Sequence, residues 1–260
     1  MGDLTQAAQT DQSAVWARIG NGDVDWDHFD SEAYFAGNYE HLRADDREII
    51  HQVIEFFEST TFRGGIHGRG IDVGAGTNLY PALTMLPHTA EITLWERAAS
   101  NIDWLRAQIV HPLESWWQFW QPMATSHHAY GRIKEPLNLL SRRARVSKAN
   151  LFLLPTDSYD IGTMFFVAES ITNRTDEFER AVAKFVGCLR RRAPFAATFM
   201  RNSSGYTVGN TSFPACSVDE TDVARALQKV ARDVTIRSVR SFDLREGYGG
   251  MIVATGRKKM

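Results

Sequence analysis

From residue 69 to residue 216, short apolar runs alternate with longer stretches in which apolar residues recur every three or four positions. The runs at 71–73, 92–95, 161–167 and 195–200 predict strands. The run 161–167 reads as one apolar block, as a central parallel strand covered on both faces should. The periodic stretches at 79–86, 98–110 and 175–192 predict helices between those strands. Ile102, Leu105 and Ile109 share one face of the second, and Phe178, Val182, Phe185, Val186 and Leu189 share one face of the third. Strand–helix alternation of this kind predicts an α/β fold on a parallel sheet. Toward the end, Ser217-Val218-Asp219-Glu220 predicts a capping box opening a helix through Val230. Residues 234–242 and 251–255 predict a closing antiparallel pair.

The rhythm is different at both ends of this block. Residues 1–12 are polar and without periodicity, which predicts a mobile tail. Residues 15–19 predict a short helix, ended by Gly20-Asn21-Gly22. Leu42, Ile49, Ile50, Val53, Ile54, Phe56 and Phe57 predict an amphipathic helix over 44–58, with Asp45-Asp46 as its cap. Tyr34 and Tyr39, with Phe35 between them, are five apart. They cannot both sit on one narrow helix stripe, but both can reach into a cleft from a bent segment. The expectation is a single domain spanning 1–260, with a helical lid over 13–60 and a core over 66–260. Residues 111–148 are the least regular part, punctuated by Pro112, Pro122 and Pro136. They read as an insertion that carries a short third strand at its end. Its Trp116-Trp117-Gln118-Phe119-Trp120 knot is either peripheral core or a wall of the substrate site. Its basic run, Arg142, Arg143, Arg145 and Lys148, reads as a solvated helix face.

Composition narrows the partners. A net charge of −2 over 260 residues gives no global reason to bind nucleic acid or an anionic membrane. No apolar run approaches the roughly 20 residues needed to cross a bilayer. Cys188 and Cys216 read as free thiols of a reducing, cytoplasmic compartment. His127-His128 lack further ligands at metal spacing, so no metal is expected. Aromatic residues make up 11% of the chain, including seven Trp, which suits a pocket for a flat or apolar small molecule. The expected partner is therefore a small molecule, with no nucleic acid and no membrane, on a monomer or homodimer.

The chemistry concentrates at Gly70-Ile71-Asp72-Val73-Gly74-Ala75-Gly76-Thr77-Asn78-Leu79-Tyr80-Pro81, where a strand passes through a glycine turn into a helix. Glycine lets backbone approach a ligand closely and accepts φ > 0. The helix start that follows offers unpaired N–H groups. Glu96 stands twenty residues after Gly76, at the end of the next strand, where a doubly wound nucleotide fold puts a carboxylate on ribose hydroxyls. The third glycine of the dinucleotide fingerprint is Leu79 here, which argues against an NAD-dependent oxidoreductase. Asp72, two residues before Gly74, with no phosphate-binding lysine, makes the turn resemble motif I of the Rossmann-like S-adenosylmethionine (SAM) methyltransferases.

Four stretches extend that resemblance over about residues 29–257. They are Phe29 to Tyr39, Asp72 to Tyr80, Glu96 to Asn101 and Asn202 to Tyr206. The chain resembles the nicotinamide/phenylethanolamine/thioether N-methyltransferase group and, more narrowly, an actinobacterial small-molecule subgroup of it. The resemblance implies a Rossmann-like seven-stranded sheet, mostly parallel with an antiparallel last strand, under an N-terminal helical lid. It implies SAM as cofactor, bound by Tyr34, Tyr39, Asp72, Gly74, Gly76, Thr77, Tyr80, Glu96 and Asn101. Asn150 falls where the family usually has an aspartate beside the adenine. Phe165, Phe166, Glu169, Tyr206 and part of the Trp knot would form the acceptor site, with Tyr34 and Glu169 as the catalytic pair. Glu169 reads equally as a general base, a rim carboxylate or a helix cap. The chain departs from the family after the fifth strand, where Thr198-Phe199-Met200-Arg201 supplies no carboxylate to orient an amine. That favours a flat aromatic or heteroaromatic metabolite, methylated on N, C or O, as in secondary metabolism. The rival reading is a degenerate SAM-binding protein that regulates or scaffolds.

Overall fold

In the computed structural model, residues 18–60, 68–239 and 249–260 are described. The first half of the chain runs α1 (Ser31–Asn38), α2 (Ala44–Thr60), β1 (Gly68–Val73), α3 (Tyr80–Met85), β2 (Thr89–Glu96), α4 (Ala99–Val110), α5 (Trp116–Ser126), α6 (His128–Gly131), α7 (Pro136–Arg143) and β3 (Ala144–Lys148). The second half runs β4 (Ile161–Phe165), α8 (Thr175–Cys188), β5 (Pro194–Met200), β6 (Tyr206–Val208), β7 (Thr211–Phe213), α9 (Glu220–Gln228), β8 (Ala231–Val239) and β9 (Met251–Lys258).

Seven strands form one sheet in the order β3-β2-β1-β4-β5-β9-β8. The pairs from β3 through β5 are parallel, and β9 runs antiparallel to both β5 and β8. The expected α/β sheet with an antiparallel last strand is thus present. Strand order reverses between β1 and β4, and in open α/β sheets ligands bind at the carboxyl ends of the strands beside such a switch. The carboxyl end of β1 leads into Gly74, and that of β4 into Phe166.

Alternating positions feed two cores. Phe195, Ala197 and Phe199 of β5 pack with α8 and α9 on one face. Ala196 of β5 and Ile161 and Phe165 of β4 pack with α2, α3, α5 and α6 on the other. The irregular reading of 111–148 gives way to three helices ahead of β3. Pro122 is tolerated within α5, where Trp116, Phe119 and Trp120 are fully buried in the second core. The ring of Phe119 stacks on Tyr80 at 5.5 Å. Of the knot, Trp117 alone is an exposed tryptophan, and no part of the knot lines either of the two cavities at the carboxyl ends of the strands. The basic run is not one solvated helix face either. Arg143 donates to the carbonyls of Leu86 and Thr89, while Arg145 and Lys148 lie on β3.

Local chemistry moves several boundaries. The predicted helix over 175–192 stops at Cys188, where Leu189 turns extended and pairs with Tyr159, and Lys258 Nζ takes up the carbonyls of Gly187 and Leu189. The cap of α9 is Asp219, paired reciprocally with Asp222, rather than Ser217. Val218 is held extended against Arg201, so the helix can only begin after it. The hairpin β6–β7 was not anticipated, although Val208-Gly209-Asn210-Thr211 is a two-residue glycine–asparagine turn. The predicted tail at 1–12 and most of the predicted helix at 15–19 lie outside the described residues, as does the end of the strand predicted to reach 242.

Residues 19–39 wrap the carboxyl edge of the sheet. The Asp27 carboxylate accepts from Ala99 N–H at 2.8 Å and caps α4. Ser31 Oγ donates to Asn101 Oδ1 at 2.8 Å, and Asn21 N–H donates to Glu177 at 2.8 Å. Trp26 stacks on Phe213 of the hairpin at 5.5 Å, so the lid and hairpin form one aromatic roof. The buried knot generates a test. Trp120→Ala is expected to lower the free energy of unfolding in urea by ~3–5 kcal/mol. A loss below about 1 kcal/mol would show that the knot is peripheral, as surface substitutions usually are.

Candidate active site

The site grows from the turn after β1. Gly74 and Gly76 have φ of 67° and 55°, where a side chain would be strained. At Gly74 a Cβ would also meet Val167 Cγ2 at 2.6 Å, so the turn packs against the loop after β4. One carboxylate fixes its shape. Glu96 Oε2 accepts from Gly76 N–H at 2.8 Å, and Oε1 accepts from Arg97 N–H at 2.7 Å and Ala98 N–H at 2.8 Å. Burial raises the Glu96 pKa, and these backbone bonds oppose the rise. Oε1 accepts two backbone bonds and Oε2 one, with Asn101 adding a side-chain bond to the carboxyl, so Oε2 is the oxygen less committed to backbone.

A cleft of about 860 Å³, open to solvent, lies over this turn. Of the residues expected to hold a cofactor, Asp72, Gly74, Gly76, Thr77, Glu96 and Asn101 line it, with Tyr34 and Tyr39 facing them from the lid. Asp72 Oδ1 accepts from Thr163 Oγ1 at 2.7 Å, but its Oδ2 and Thr77 Oγ1 are buried without a partner among the described residues. Buried polar atoms normally have partners. Here a ligand with a cationic amine and hydrogen-bonding groups would satisfy both, so the residues fit SAM.

Two expected cofactor residues sit elsewhere. Tyr80 is fully buried behind the wall, its hydroxyl donating to Asp46 Oδ1 at 3.0 Å. Asn150 spends its side-chain carbonyl on Phe152 N–H, capping a 3-10 turn at 151–153. Its neighbours Ala149 and Leu151 line the cleft in its place.

Phe165, Phe166 and Tyr206 reach the cleft as expected. Glu169 does not. It is fully buried and lines neither cavity, so it is not a rim carboxylate. Its Oε1 accepts from Met200 N–H at 2.9 Å and from Ser170 Oγ at 3.2 Å, tying the loop after β4 to the end of β5. Phe166 has φ of 58°, an uncommon value for an aromatic residue, and its N–H is held by Thr198 O at 2.9 Å.

A second cavity of about 670 Å³, also open to solvent, adjoins the first and shares Tyr34, Tyr39, Phe166, Ser170 and Tyr206 with it. Its outer wall is Arg43, Asp46, Met200 and Met251. Asp46 was expected to cap α2, but it lies inside the first turn and is buried. Burial pushes Asp46, Asp72 and Glu169 each up to about 7. A sequence signal for Asp46 existed: residues 46, 49, 50, 53 and 57 form one helix face, and a carboxylate on that apolar stripe is out of place unless it serves a site. Asn21, Trp26 and Ser170 also line the cleft and carried no such signal.

Among the described residues, no group of three metal-ligating side chains occurs, and no helix is long and apolar enough to cross a membrane. Cys188 and Cys216 are buried free thiols, and burial pushes Cys188 up to about 12.

The chain belongs to the NNMT/PNMT/TEMT family, which matches residues 20–259, and it is a SAM-dependent methyltransferase. No curated protein matches the chain. Solved structures share the fold at low identity. The N-methyltransferase NodS of Bradyrhizobium japonicum, in complex with S-adenosyl-L-homocysteine, is 11% identical over 84% of this chain and 89% of its own, with a TM-score of 0.51. A SAM-dependent methyltransferase of Methanosarcina mazei is 12% identical over 85% and 99%, also with a TM-score of 0.51. The 1,6-didemethyltoxoflavin-N1-methyltransferase of Burkholderia thailandensis is 15% identical over 88% and 85%, with a TM-score of 0.50.

Two tests follow from the carboxylates. Glu96→Ala leaves three N–H donors without their acceptor, at about 1–3 kcal/mol for each, so the ligand-free protein is expected to lose about 3 kcal/mol or more of stability in urea. SAM affinity by calorimetry is expected to fall by about one to two decades; unchanged affinity would remove Glu96 from the cofactor site. The second test is pH. In the unfolded chain these carboxyls ionise near about 4; folded, Asp46, Asp72 and Glu169 hold their protons to about 7. Their contribution is therefore full below about 4, falls as pH rises toward 7, and levels off above it. Buried His88, lowered to about 4, works in the opposite direction over part of the window. Three groups against one give a net loss for the ligand-free protein, on the order of a few kcal/mol, between pH 5 and pH 7.5. Denaturant midpoints that rise over that interval would show that these carboxyls are ionised in the fold.

Proposed function

We propose that the protein transfers the methyl group of SAM to a small metabolite built on an aromatic or heteroaromatic ring. The observation that carries this reading is the junction between the two cavities, where Tyr34, Tyr39, Phe166, Ser170 and Tyr206 face both. A methyl group held on one side of such a junction would be within reach of an acceptor on the other. When bound, SAM supplies a sulfonium carbon that is already electrophilic, so little covalent chemistry is left to the protein.

This chain's residues would do the rest. Asp72, Thr77, Glu96 and Asn101 would hold the cofactor, Asp72 meeting a cationic amine and Glu96 a ribose hydroxyl through Oε2. The Tyr34 and Tyr39 rings lie 6.0 Å apart, and Tyr34 and Tyr206 lie 6.3 Å apart, centroid to centroid. Such rings can stack a flat acceptor and meet a sulfonium cation with their faces, at roughly 0.5–2 kcal/mol per good contact. The aromatic roof of Trp26, Phe29 and Phe213 would exclude water. Fixing donor and acceptor in line is worth ~7–11 kcal/mol at best.

One assay tests the acceptor class. The protein with SAM and a panel of indoles, pyridines, phenols and amines is expected to release S-adenosylhomocysteine with at least one ring-bearing member. Tyr34→Ala is expected to reduce that release by tenfold or more, since one aromatic stacking contact with a base is worth about 1–3 kcal/mol. Tight SAM binding with no release from any ring-bearing member would overturn this acceptor class. Release confined to aliphatic amines would overturn the ring.

A further inference from the structure

The second cavity carries a group that the cofactor chemistry does not use. We propose that Asp46 accepts the proton that the methyl acceptor gives up, with Tyr80 orienting its carboxyl. This rests on the methyltransferase reading and extends it to the acceptor side.

The geometry supplies the reasons. Asp46 stands on the wall of the second cavity, on the first turn of α2, across from Phe166, Tyr206 and Met200. Its side chain is almost wholly withdrawn from water, at 3% exposure, yet it borders open space that adjoins the cofactor cleft. The Tyr80 hydroxyl donates to Oδ1 at 3.0 Å and fixes the carboxyl plane. Tyr80 is itself clamped, stacked on Phe119 at 5.5 Å and edge-on to Tyr39 at 6.1 Å. A carboxyl held this way can accept through Oδ2 without moving.

The charges around it set its affinity for a proton. Asp45 on the same turn raises it, whereas Tyr80 and Arg43 lower it. Arg43 Nε lies 3.5 Å from Asp45 Oδ1, so the arginine charge is shared between the two acids. Tyr39 and Tyr80 are both pushed well above their usual range by burial, which keeps them neutral beside it. The result is a carboxyl balanced near 7, able to take a proton from a nitrogen or oxygen acid and release it to solvent. Arginine is the other charged side chain on that wall, and it cannot serve as a base.

The step balances simply. An acceptor N–H or O–H presents its lone pair to the methyl carbon. The new bond to carbon forms as the carbon–sulfur bond breaks, with that electron pair returning to sulfur as the thioether. The proton passes to Asp46 and then to water. A carbon acceptor would use the same carboxyl for the ring proton lost after methylation.

The expectation that a neutral ring is favoured for want of a carboxylate therefore changes. The carboxylate is present, but on α2 instead of after β5.

The test uses the full chain loaded with S-adenosylhomocysteine, and compares Asp46→Asn and Tyr80→Phe with the unaltered protein. Benzylamine, cationic at neutral pH, and benzyl alcohol, its neutral analogue, serve as calorimetric probes of the second cavity. Asp46→Asn is expected to weaken benzylamine by tenfold or more and to leave benzyl alcohol within twofold. Tyr80→Phe is expected to weaken benzylamine less. S-adenosylhomocysteine affinity is expected to stay within threefold in both variants, which reports on the fold and the cofactor cleft separately. With any acceptor that the panel finds, Asp46→Asn is expected to lower kcat by about a hundredfold or more and to abolish its rise with pH near 7. Equal benzylamine affinity in the unaltered protein and Asp46→Asn, or no benzylamine binding to either, would overturn the proposal. Failure to bind S-adenosylhomocysteine at all would instead overturn the reading on which it rests.

Discussion

The site depends on Glu96 binding backbone at both strand ends. Its two oxygens take the N–H groups of Gly76, Arg97 and Ala98, so one side chain joins the turn after β1 to the start of the segment leaving β2. Each of those N–H groups would otherwise face a low-dielectric interior unpaired, at a cost of about 1–3 kcal/mol each. Once they are fixed, the positive φ values at Gly74 and Gly76 follow, and the floor of the cleft has one shape. Asp27 then caps α4 and Ser31 bonds Asn101, so the lid is docked on the helix that Glu96 helps to place.

The same region tolerates several buried acids, and their separation makes this workable. Asp72 leans on Thr163, Asp46 on Tyr80, and Glu169 on Met200 N–H and Ser170. None of these bonds comes from a basic side chain, so each is kept mostly by desolvation at a proton affinity far above that of a free carboxyl. A fold optimised for stability alone would not retain three such groups. Two of them border cavities, where a cationic or hydrogen-bonding ligand can supply what the fold withholds. Glu169 borders neither, and its value is architectural: it fixes Ser170, which faces both cavities.

Most of the sheet was legible because its signals are local. The apolar runs of β1, β2, β4 and β5 and the one-sided helix α8 each carry their own periodicity, and the glycine turn with Glu96 declares the switch point. Three things were not legible. The helices α5 to α7 hide behind the prolines that punctuate the segment, although Pro122 is tolerated within α5 and Pro136 opens α7 at a position where its missing N–H costs nothing. The hairpin β6–β7 is three residues a side, too short for an alternation to register although its Gly209-Asn210 turn is explicit. Tyr80 and Asp46 sit 34 positions apart and meet through tertiary packing, so their hydrogen bond has no counterpart in spacing. The family likeness placed Tyr80 near the cofactor, yet in this chain its hydroxyl turns away to α2.

That turn of the tyrosine ties the two cavities together. Tyr39 lies edge-on to both Tyr34, at 6.0 Å, and Tyr80, at 6.1 Å, so the lid tyrosines and the Asp46 partner form one continuous ring cluster. A lid that shifted Tyr39 would disturb the surroundings of Asp46 through Tyr80 as well as the roof of the cleft. Phe166 completes the junction from the sheet side, in a backbone conformation that costs on the order of 1–3 kcal/mol and persists because Thr198 O and the Phe165 ring hold it. The proposed donor side is thus rich in buried acid, the junction is aromatic and uncharged, and the proposed acceptor side has one acid set back by a single tyrosine. A cation held at the first would see ring faces in the direction of transfer. That ordering suits a positively charged donor which must give up its methyl group to a neutral partner.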